Sequence, residues 1–159
     1  TPLSIEDVIA GELLWGATRS LIYASSMLVV LVAFGVVSLP SSLLVVPFSF
    51  LAGLLFSCIA MCFTAVSPSI DTLNYPSFLF ITPMFLFSGT FFPISVLPGP
   101  VQAFATAALP LAQVVTVTRS LTLASISPPI FFYSLAWIAA VCTVLSLVSI
   151  RLMRRRLVV

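Results

Sequence analysis

The chain lacks histidine, and only ten of its 159 residues are charged, four of them acidic. Histidine is the commonest side chain for acid–base work and metal binding near neutral pH, so that machinery is absent. Charged residues make up 6% of the chain, whereas a soluble domain carries about 25%. Hydrophobic residues make up 61%, and the mean hydropathy is +1.29. These values predict an all-α integral membrane protein that has lipid as its solvent.

Further absences narrow the function. No G-x-x-x-x-G-K-[ST] sequence is present to hold the phosphates of a nucleotide, so ATP hydrolysis by that route is excluded. The acidic residues lie in or beside the segments predicted to be cytoplasmic, whereas proton-driven transporters usually have carboxylates or histidines inside their spans. Two of the three cysteines, Cys58 and Cys62, share a face of one predicted span, and Cys142 stands apart. Without partner ligands they predict helix packing rather than a metal site. We therefore expect no enzyme activity, no cofactor and no metal.

Charge-free apolar runs predict four membrane spans. The predicted spans are Ser20–Leu39, Leu43–Val66, Tyr75–Phe92 and Ile130–Ile150. Four arginines follow the last span, at positions 151, 154, 155 and 156, and such clusters mark the cytoplasmic side. Four crossings then place both ends in the cytoplasm, with Ser67–Asn74 as a cytoplasmic loop and Thr90–Pro129 outside. The location expected is the plasma (inner) membrane.

Two short apolar segments follow the third predicted span. Val101–Leu109 and Leu111–Leu123 are separated by Pro110, and neither reaches the roughly 20 residues that a helical span requires. Arg119 is their one charge, which is unlike a soluble loop. Broken apolar helices at membrane depth are tolerated where protein or water covers the backbone. We predict an outer re-entrant hairpin that gates a pathway, with Gly89, Pro93, Pro98 and Pro110 setting its turns.

Three blocks of residues carry a family resemblance. They are Ser88-Gly89, Phe92-Pro93, Leu97-Pro98, Leu109-Pro110-Leu111 and Arg119; Gly11-Glu12, Trp15 and Ala17-Thr18; and Ser67–Asp71 with Tyr75. In order and spacing the chain resembles the permease subunits of type 2 ATP-binding-cassette (ABC) exporters. The resemblance is strongest to permeases that export nodulation-type lipooligosaccharides. Gln113 stands where those permeases tend to have histidine, which bears on the substrate rather than the fold.

The resemblance implies a domain and a function. Residues 1–159 are expected to form part of the family's transmembrane domain, without the first two of six spans. The expected activity is outward movement of an amphiphile, such as a lipooligosaccharide, a lipid-linked polysaccharide or a hydrophobic drug. The resemblance also implies three partners, which are a separate P-loop ATPase chain, a second permease copy and membrane lipid. It implies no nucleic-acid partner. The alternative is a non-transporting assembly or anchoring subunit; an intramembrane enzyme ranks third.

The N-terminal segment is predicted to form a helix capped by Ser4 and Asp7. Val8, Ile9 and Leu13 are expected at the membrane interface. Either the segment is a cytoplasmic extension of the first span, or it is a coupling helix that contacts the ATPase.

The resemblance favours coupling, through Glu6, Asp7, Glu12 and Asp71. The alternatives are that Glu12 and Arg19 form structural ion pairs with neighbours and that Asp71 is a solvated loop residue.

Arg119 has two interpretations. In the first, its side chain extends to the outer lipid headgroups, which costs little free energy near an interface. Alternatively, its guanidinium binds a phosphate or carboxylate of an anionic substrate headgroup.

Overall fold

The computed structural model of the protein describes residues 4–37, 39–69, 71–123 and 127–157, and over these residues it contains helices and turns but no strand. The expected all-α membrane fold is confirmed. The α-helices are α1 (Ile5–Ala33), α2 (Val45–Val66), α3 (Asn74–Pro76), α4 (Thr82–Phe87), α5 (Gly99–Ala108), α6 (Pro110–Thr122) and α7 (Pro128–Leu157). Short 3₁₀ turns lie at Ser41–Leu44, Asp71–Leu73 and Ile94–Val96, and a π-helical turn at Ser77–Ile81.

Three helical segments in the described part of the chain are long and apolar enough to cross a membrane. They are Glu6–Ala33, Ser41–Val66 and Pro128–Arg154. The pair α5 and α6 passes the same test jointly but is bent by 89°, which is the geometry of a broken span or a re-entrant loop. The chain is therefore a multi-pass membrane protein.

The first span differs from its predicted bounds. The predicted N-terminal helix and the span form one continuous helix, α1, which ends at Ala33 rather than at Leu39. Gly35 adopts a φ of 66°, and its N–H donates to the carbonyl of Val32 at 3.0 Å. The N–H of Val36 donates to Leu31 at 3.0 Å, which completes a Schellman motif. The left-handed glycine thus ends the helix six residues early.

The third predicted span, Tyr75–Phe92, is not one uniform helix. The chain is helical from Asp71 to Phe87 in successive 3₁₀, α, π and α pieces. Pro76 and Pro83 lack the N–H that a regular helix needs, and the π-helical turn lies between them. The helix stops at Phe87, five residues before the predicted end, because the chain turns at Ser88 and Gly89.

Helix α2 lies at the centre of the bundle, between α1 and α7. The first half of α2 packs with the first half of α7 in one core cluster, through Phe48, Leu55 and Ile138. Cys58, further along α2, packs with Ile9 of α1 and has Met153 of α7 beside it. Hence α2 runs parallel to α7 and antiparallel to α1. The chain between α2 and α7 must return from one end of the bundle to the other.

Small side chains bring α1 and α2 together. A Cβ on Gly53 would lie 3.1 Å from the Cα of Ala17 and would also meet Ser20. The Ser20 hydroxyl donates to the carbonyl of Ser49 across the contact at 2.6 Å. A Cβ on Gly16 would likewise meet Ser57. Gly16 and Gly53, opposite Ser57 and Ser20, thus allow α1 and α2 to approach closely.

Candidate functional site

The predicted hairpin is the bent pair α5–α6, and its prolines stand at the ends of helical pieces. Pro93 precedes the Ile94–Val96 turn, Pro98 caps α5, and Pro110 is the first residue of α6. At the end of α5, the N–H of Leu109 donates to the carbonyl of Ala105 at 3.2 Å. At the start of α6, the carbonyl of Leu109 accepts from the N–H of Ala112 at 3.1 Å. A proline at the first helical position loses no intrahelical bond. The bend therefore leaves both arms regular.

Gln113 supplies a donor that Pro110 cannot. In a continuous helix the carbonyl of Thr106 would accept from residue 110, but proline has no N–H. The Nε2 of Gln113 donates to that carbonyl instead, and the Gln113 side chain is only 4% exposed. An unpaired carbonyl at membrane depth is costly, so this bond supports the bend and joins its two arms. The sequence showed Gln113 only as a replacement for histidine; the signal for its role is a proline four residues after Thr106.

The bend lies against the middle of the bundle. Ala107, Ala108 and Pro110 share a cavity of about 380 Å³ with side chains from α2, α7 and the π-helical turn. Those side chains are Ile59, Cys62, Phe63, Phe80, Trp137, Val141 and Leu145. Phe63 and Phe80 pack with ring centroids 5.3 Å apart. Since these residues lie well inside α2 and α7, the hairpin penetrates between the ends of the spans.

Gly89 is required at the turn that follows the helical stretch Asp71–Phe87, which is called the third helical segment below. Its φ is +82°, a left-handed conformation that side chains rarely adopt, and a Cβ there would lie 2.6 Å from Cγ1 of Ile94. The buried Ser88 hydroxyl donates to the carbonyl of Phe85 at 3.0 Å and lies 2.8 Å from the Thr90 hydroxyl. Both the left-handed backbone angle and the lack of room for a Cβ beside Ile94 therefore require glycine at position 89.

Arg119 meets Gly89. Its Nη2 donates to the Gly89 carbonyl at 2.6 Å, although Arg119 itself is on the exposed side of α6. Two residues that the sequence placed in different roles, one at the gate and one at a headgroup contact, are thus bonded directly. Beside this bond is an open groove lined by Thr116, Arg119, Ser120, Leu123, Ser127, Ile130 and Phe131.

Two of the acidic residues proposed for coupling, Glu6 and Asp7, interact at the start of α1. Glu6 pairs with Arg154 of α7, with Oε1 and Nη2 3.4 Å apart, and both side chains are largely exposed. Asp7 forms a full capping box with Ser4: the Ser4 N–H and hydroxyl donate to its carboxylate at 3.1 and 2.6 Å, and the Ser4 Oγ accepts from the Asp7 N–H at 3.2 Å. The predicted cap is confirmed. The Asp71 side chain lies outside the described part of the structure.

Glu12 and Arg19 line one groove between α1 and α2, with Ser57, Thr64 and Met153 along it. Arg19 turns to its own helix: its Nη2 donates to the Tyr23 hydroxyl at 3.2 Å, and its guanidinium lies 5.9 Å from the Tyr23 ring centroid. No ion pair joins Glu12 to Arg19 in the described residues.

Two expectations about apolar residues are corrected. Of the three residues expected at the interface, Ile9 and Leu13 are buried against α2, and only Val8 is exposed. Cys142 does not stand apart, because it is buried in the core cluster of α2, α6 and α7, on the side of α2 that also buries Cys58. The described residues contain no group of three potential metal ligands.

Comparison with known proteins agrees with this architecture. A model of the ABC-2 type transporter family matches residues 1–123, which is most of the chain. The chain belongs to the ABC-2 type transporter family. The resemblance noted from the sequence blocks is confirmed, and no solved structure matches the chain.

Several curated proteins that the chain is similar to are nodulation proteins. The chain is 37% identical over 119 residues to Nodulation protein J of Sinorhizobium fredii, covering 75% of the chain and 45% of the relative. It is 37% identical over 160 aligned positions to Nodulation protein J of Rhizobium meliloti, and 33% identical over 160 to that of Neorhizobium galegae. Each of these two alignments covers 99% of the chain and 59% of the relative. The chain thus spans about half to three fifths of the length of these relatives.

Proposed function

We propose that the chain is part of the permease subunit of an ATP-driven ABC exporter that moves an amphiphile outward across the plasma (inner) membrane. The observation that carries the proposal is the bent hairpin α5–α6, fastened to the third helical segment by the bond from Arg119 to Gly89. A re-entrant element that lies against α2 and α7, and that a hydrogen bond fastens to the neighbouring segment, is suited to gate a pathway. Membership of the ABC-2 type transporter family supports this assignment.

The surfaces near the hairpin support an amphiphile as the proposed substrate. The cavity below the bend is walled by aromatic and aliphatic side chains, which suits an acyl or other hydrophobic chain. The groove beside Arg119 combines a guanidinium with hydroxyl groups, which suits an anionic or hydroxyl-rich headgroup. An amphiphile with both parts is a lipooligosaccharide, a lipid-linked polysaccharide or a hydrophobic drug with a polar head.

Energy would come from another chain. No nucleotide-binding loop is present, so a P-loop ATPase is proposed as partner, with a second permease copy completing the transporter. The pair Glu6–Arg154 gathers the start of α1 and the end of α7 on one side of the bundle. We assign that side to the cytoplasm because of the arginine cluster, and we assign coupling to Glu6, Asp7, Glu12 and Asp71.

The test is transport by the full-length protein in inside-out vesicles, with a P-loop ATPase encoded next to it. We expect ATP-dependent accumulation of a fluorescent lipooligosaccharide, and none with an ATPase variant that lacks the P-loop lysine. Normal accumulation without the ATPase chain would contradict the proposal. A stable complex that moves none of the three amphiphile classes would favour an assembly subunit instead.

A further inference from the structure

The end of α7 has two different faces. Met153 and Ile150 pack towards Ile9 and Leu13 of α1, in the cluster around Cys58. The opposite face is open, and its groove is lined by Val148, Arg151, Leu152 and Arg154. Two guanidinium groups one helical turn apart therefore lie beside two aliphatic side chains on a surface that the described part of the bundle leaves open, apart from the contact of Glu6 with Arg154.

This groove lies where the helix leaves the hydrocarbon. The apolar helical segment Pro128–Arg154 has 27 residues, or about 40 Å at 1.5 Å per residue, against a hydrocarbon core of about 30 Å. Its last turns therefore extend to the level of the lipid headgroups. Val148 lies one turn deeper than Arg151 along this helix, and the long side chains of Arg151 and Arg154 can extend from these turns to the level of a lipid phosphate.

The charge at this corner is strongly positive. Four arginines occur within the six residues Arg151–Arg156, and the acid that pairs with them in the described residues is Glu6, on Arg154. Arg151 is exposed in the groove. An arginine cluster at a span end attracts acidic lipids, and a guanidinium binds phosphate oxygens in pairs.

We infer that the groove at Arg151 and Arg154 is a binding site for the headgroup phosphate of an acidic phospholipid, and that Glu6 competes with the lipid for Arg154. Aliphatic walls next to the guanidinium groups favour a lipid over a soluble anion. The Glu6–Arg154 pair makes headgroup binding dependent on the position of α1. The site does not require that the protein exports anything, so it stands or falls apart from the proposed function.

The experiment is a lipid titration of the delipidated full-length protein, followed by native mass spectrometry. Phosphatidylglycerol is the acidic probe and phosphatidylcholine the neutral one. At about 1 kcal/mol for each arginine, we expect Arg151→Gln to weaken phosphatidylglycerol binding about fivefold and the Arg151→Gln, Arg154→Gln pair about 30-fold. Arg151→Lys keeps the charge and should stay within about twofold.

Two further variants make the test specific. Arg19→Gln removes an arginine that is bound to Tyr23 outside the groove, and it should leave lipid binding unchanged. Glu6→Gln frees Arg154 and should tighten binding by up to about fivefold, the range of an exposed ion pair.

Equal retention of both lipids by the wild type would overturn the site, as would an equal effect of Arg19→Gln and Arg151→Gln. Displacement of the lipid by millimolar inorganic phosphate would assign the groove to a free anion. Unchanged lipid affinity in the double variant, with loss of a co-purifying protein, would assign it to a protein partner.

Discussion

Arg119 and Gly89 are 30 residues apart in the chain, and a hydrogen bond of 2.6 Å joins the guanidinium of one to the carbonyl of the other. The bond connects the second arm of the hairpin to the turn that ends the third helical segment. Glycine is necessary at the acceptor because its φ of +82° sets the turn that carries this carbonyl. The hairpin is thus fastened at one end by Arg119 and at its bend by Gln113.

Removal of the Arg119 guanidinium should loosen the hairpin. A hydrogen bond from a charged donor contributes about 1.5–3 kcal/mol, and the lower end applies here because the side chain is exposed. We expect Arg119→Leu to reduce export at least tenfold with normal membrane insertion, and Arg119→Lys, which keeps one charged donor, to retain part of it. Export is measured in the vesicle assay, and hairpin opening by the reactivity of a cysteine at Ser120.

The two interpretations of Arg119 predict different substrate dependence. If the bond to Gly89 is its role, the loss of export is the same for anionic and neutral amphiphiles. A defect confined to anionic substrates, with unchanged reactivity at position 120, would show that headgroup contact is the role instead.

Three glycines form a matched series for the turn. The Cβ of Gly89→Ala would overlap Ile94, and the residue would also be strained by its left-handed backbone. Gly35→Ala would be strained by its φ of +66° but would overlap nothing. Gly99→Ala would have neither cost. The strain costs about 1–2 kcal/mol, and the overlap with Ile94 adds about 1–3 kcal/mol. Thermal unfolding in detergent should therefore rank Gly99→Ala as neutral, Gly35→Ala as intermediate and Gly89→Ala as most destabilised.

A second change tests the cause of the Gly89 effect. Ile94→Ala removes the atoms that a Cβ at position 89 would meet, so it should restore part of the stability that Gly89→Ala loses. The larger Gly89→Leu should abolish export while the protein still inserts. Normal export by Gly89→Leu would contradict a role for this turn in gating.

Gln113 provides a test of the bend. Gln113→Leu leaves the carbonyl of Thr106 without the donor that replaces Pro110, at a cost of about 1–3 kcal/mol for an unpaired buried group. Gln113→His keeps a ring N–H and should stay close to wild type. Hydrogen exchange of α5 reports the difference, and equal exchange in wild type and Gln113→Leu would refute the role.

Much of the fold followed from composition and breakers alone. Long charge-free runs predicted α2 closely and α7 at its start, although α7 continues seven residues past the predicted end at Ile150. Pro98 and Pro110 predicted both arms of the hairpin, because lipid leaves helices as the way to pair every backbone group. The end of α1 at Gly35 was missed, since one glycine inside an apolar run carries little signal. The π-helical turn between Pro76 and Pro83 was missed for a similar reason: prolines show that hydrogen bonds are lost, not how the chain re-pairs them.

The site was less predictable than the fold. Gly89 and Arg119 were both chosen from sequence, but their bond depends on tertiary packing across 30 residues. The same holds for Glu6 and Arg154, whose pairing requires that α1 and α7 end together. A single sequence indicates what such side chains can bind, but it does not show which residue each of them pairs with.

Topology can be tested with impermeant thiol labelling of a variant without its three cysteines. We expect a cysteine at Ser95, between the third helical segment and α5, to react from outside the cell. A cysteine at Ser69, three residues past the end of α2, should react only after permeabilisation, because the arginine cluster assigns that side to the cytoplasm. External labelling at position 69 would reverse the proposed orientation.

The acidic start of α1 provides a test of coupling to the ATPase. Glu6 is 58% exposed and its pair with Arg154 is a surface ion pair, so its loss should cost at most about 1 kcal/mol. Loss of the Ser4–Asp7 capping box costs about 1 kcal/mol more. We expect charge reversal of both, Glu6→Lys with Asp7→Lys, to weaken co-purification of the P-loop ATPase and to uncouple ATP hydrolysis from export.

The matched control is Ser4→Ala, which removes the capping hydroxyl but keeps both acidic charges. If the acids contact the ATPase, Ser4→Ala recovers as much ATPase as wild type and the charge-reversed variant recovers less, although both lose the cap. Equal recovery and normal transport in all three proteins would mean that Glu6 and Asp7 act only on α1 itself. The start of α1 would then be an extension of the first span, and the contact with the ATPase would have to lie elsewhere.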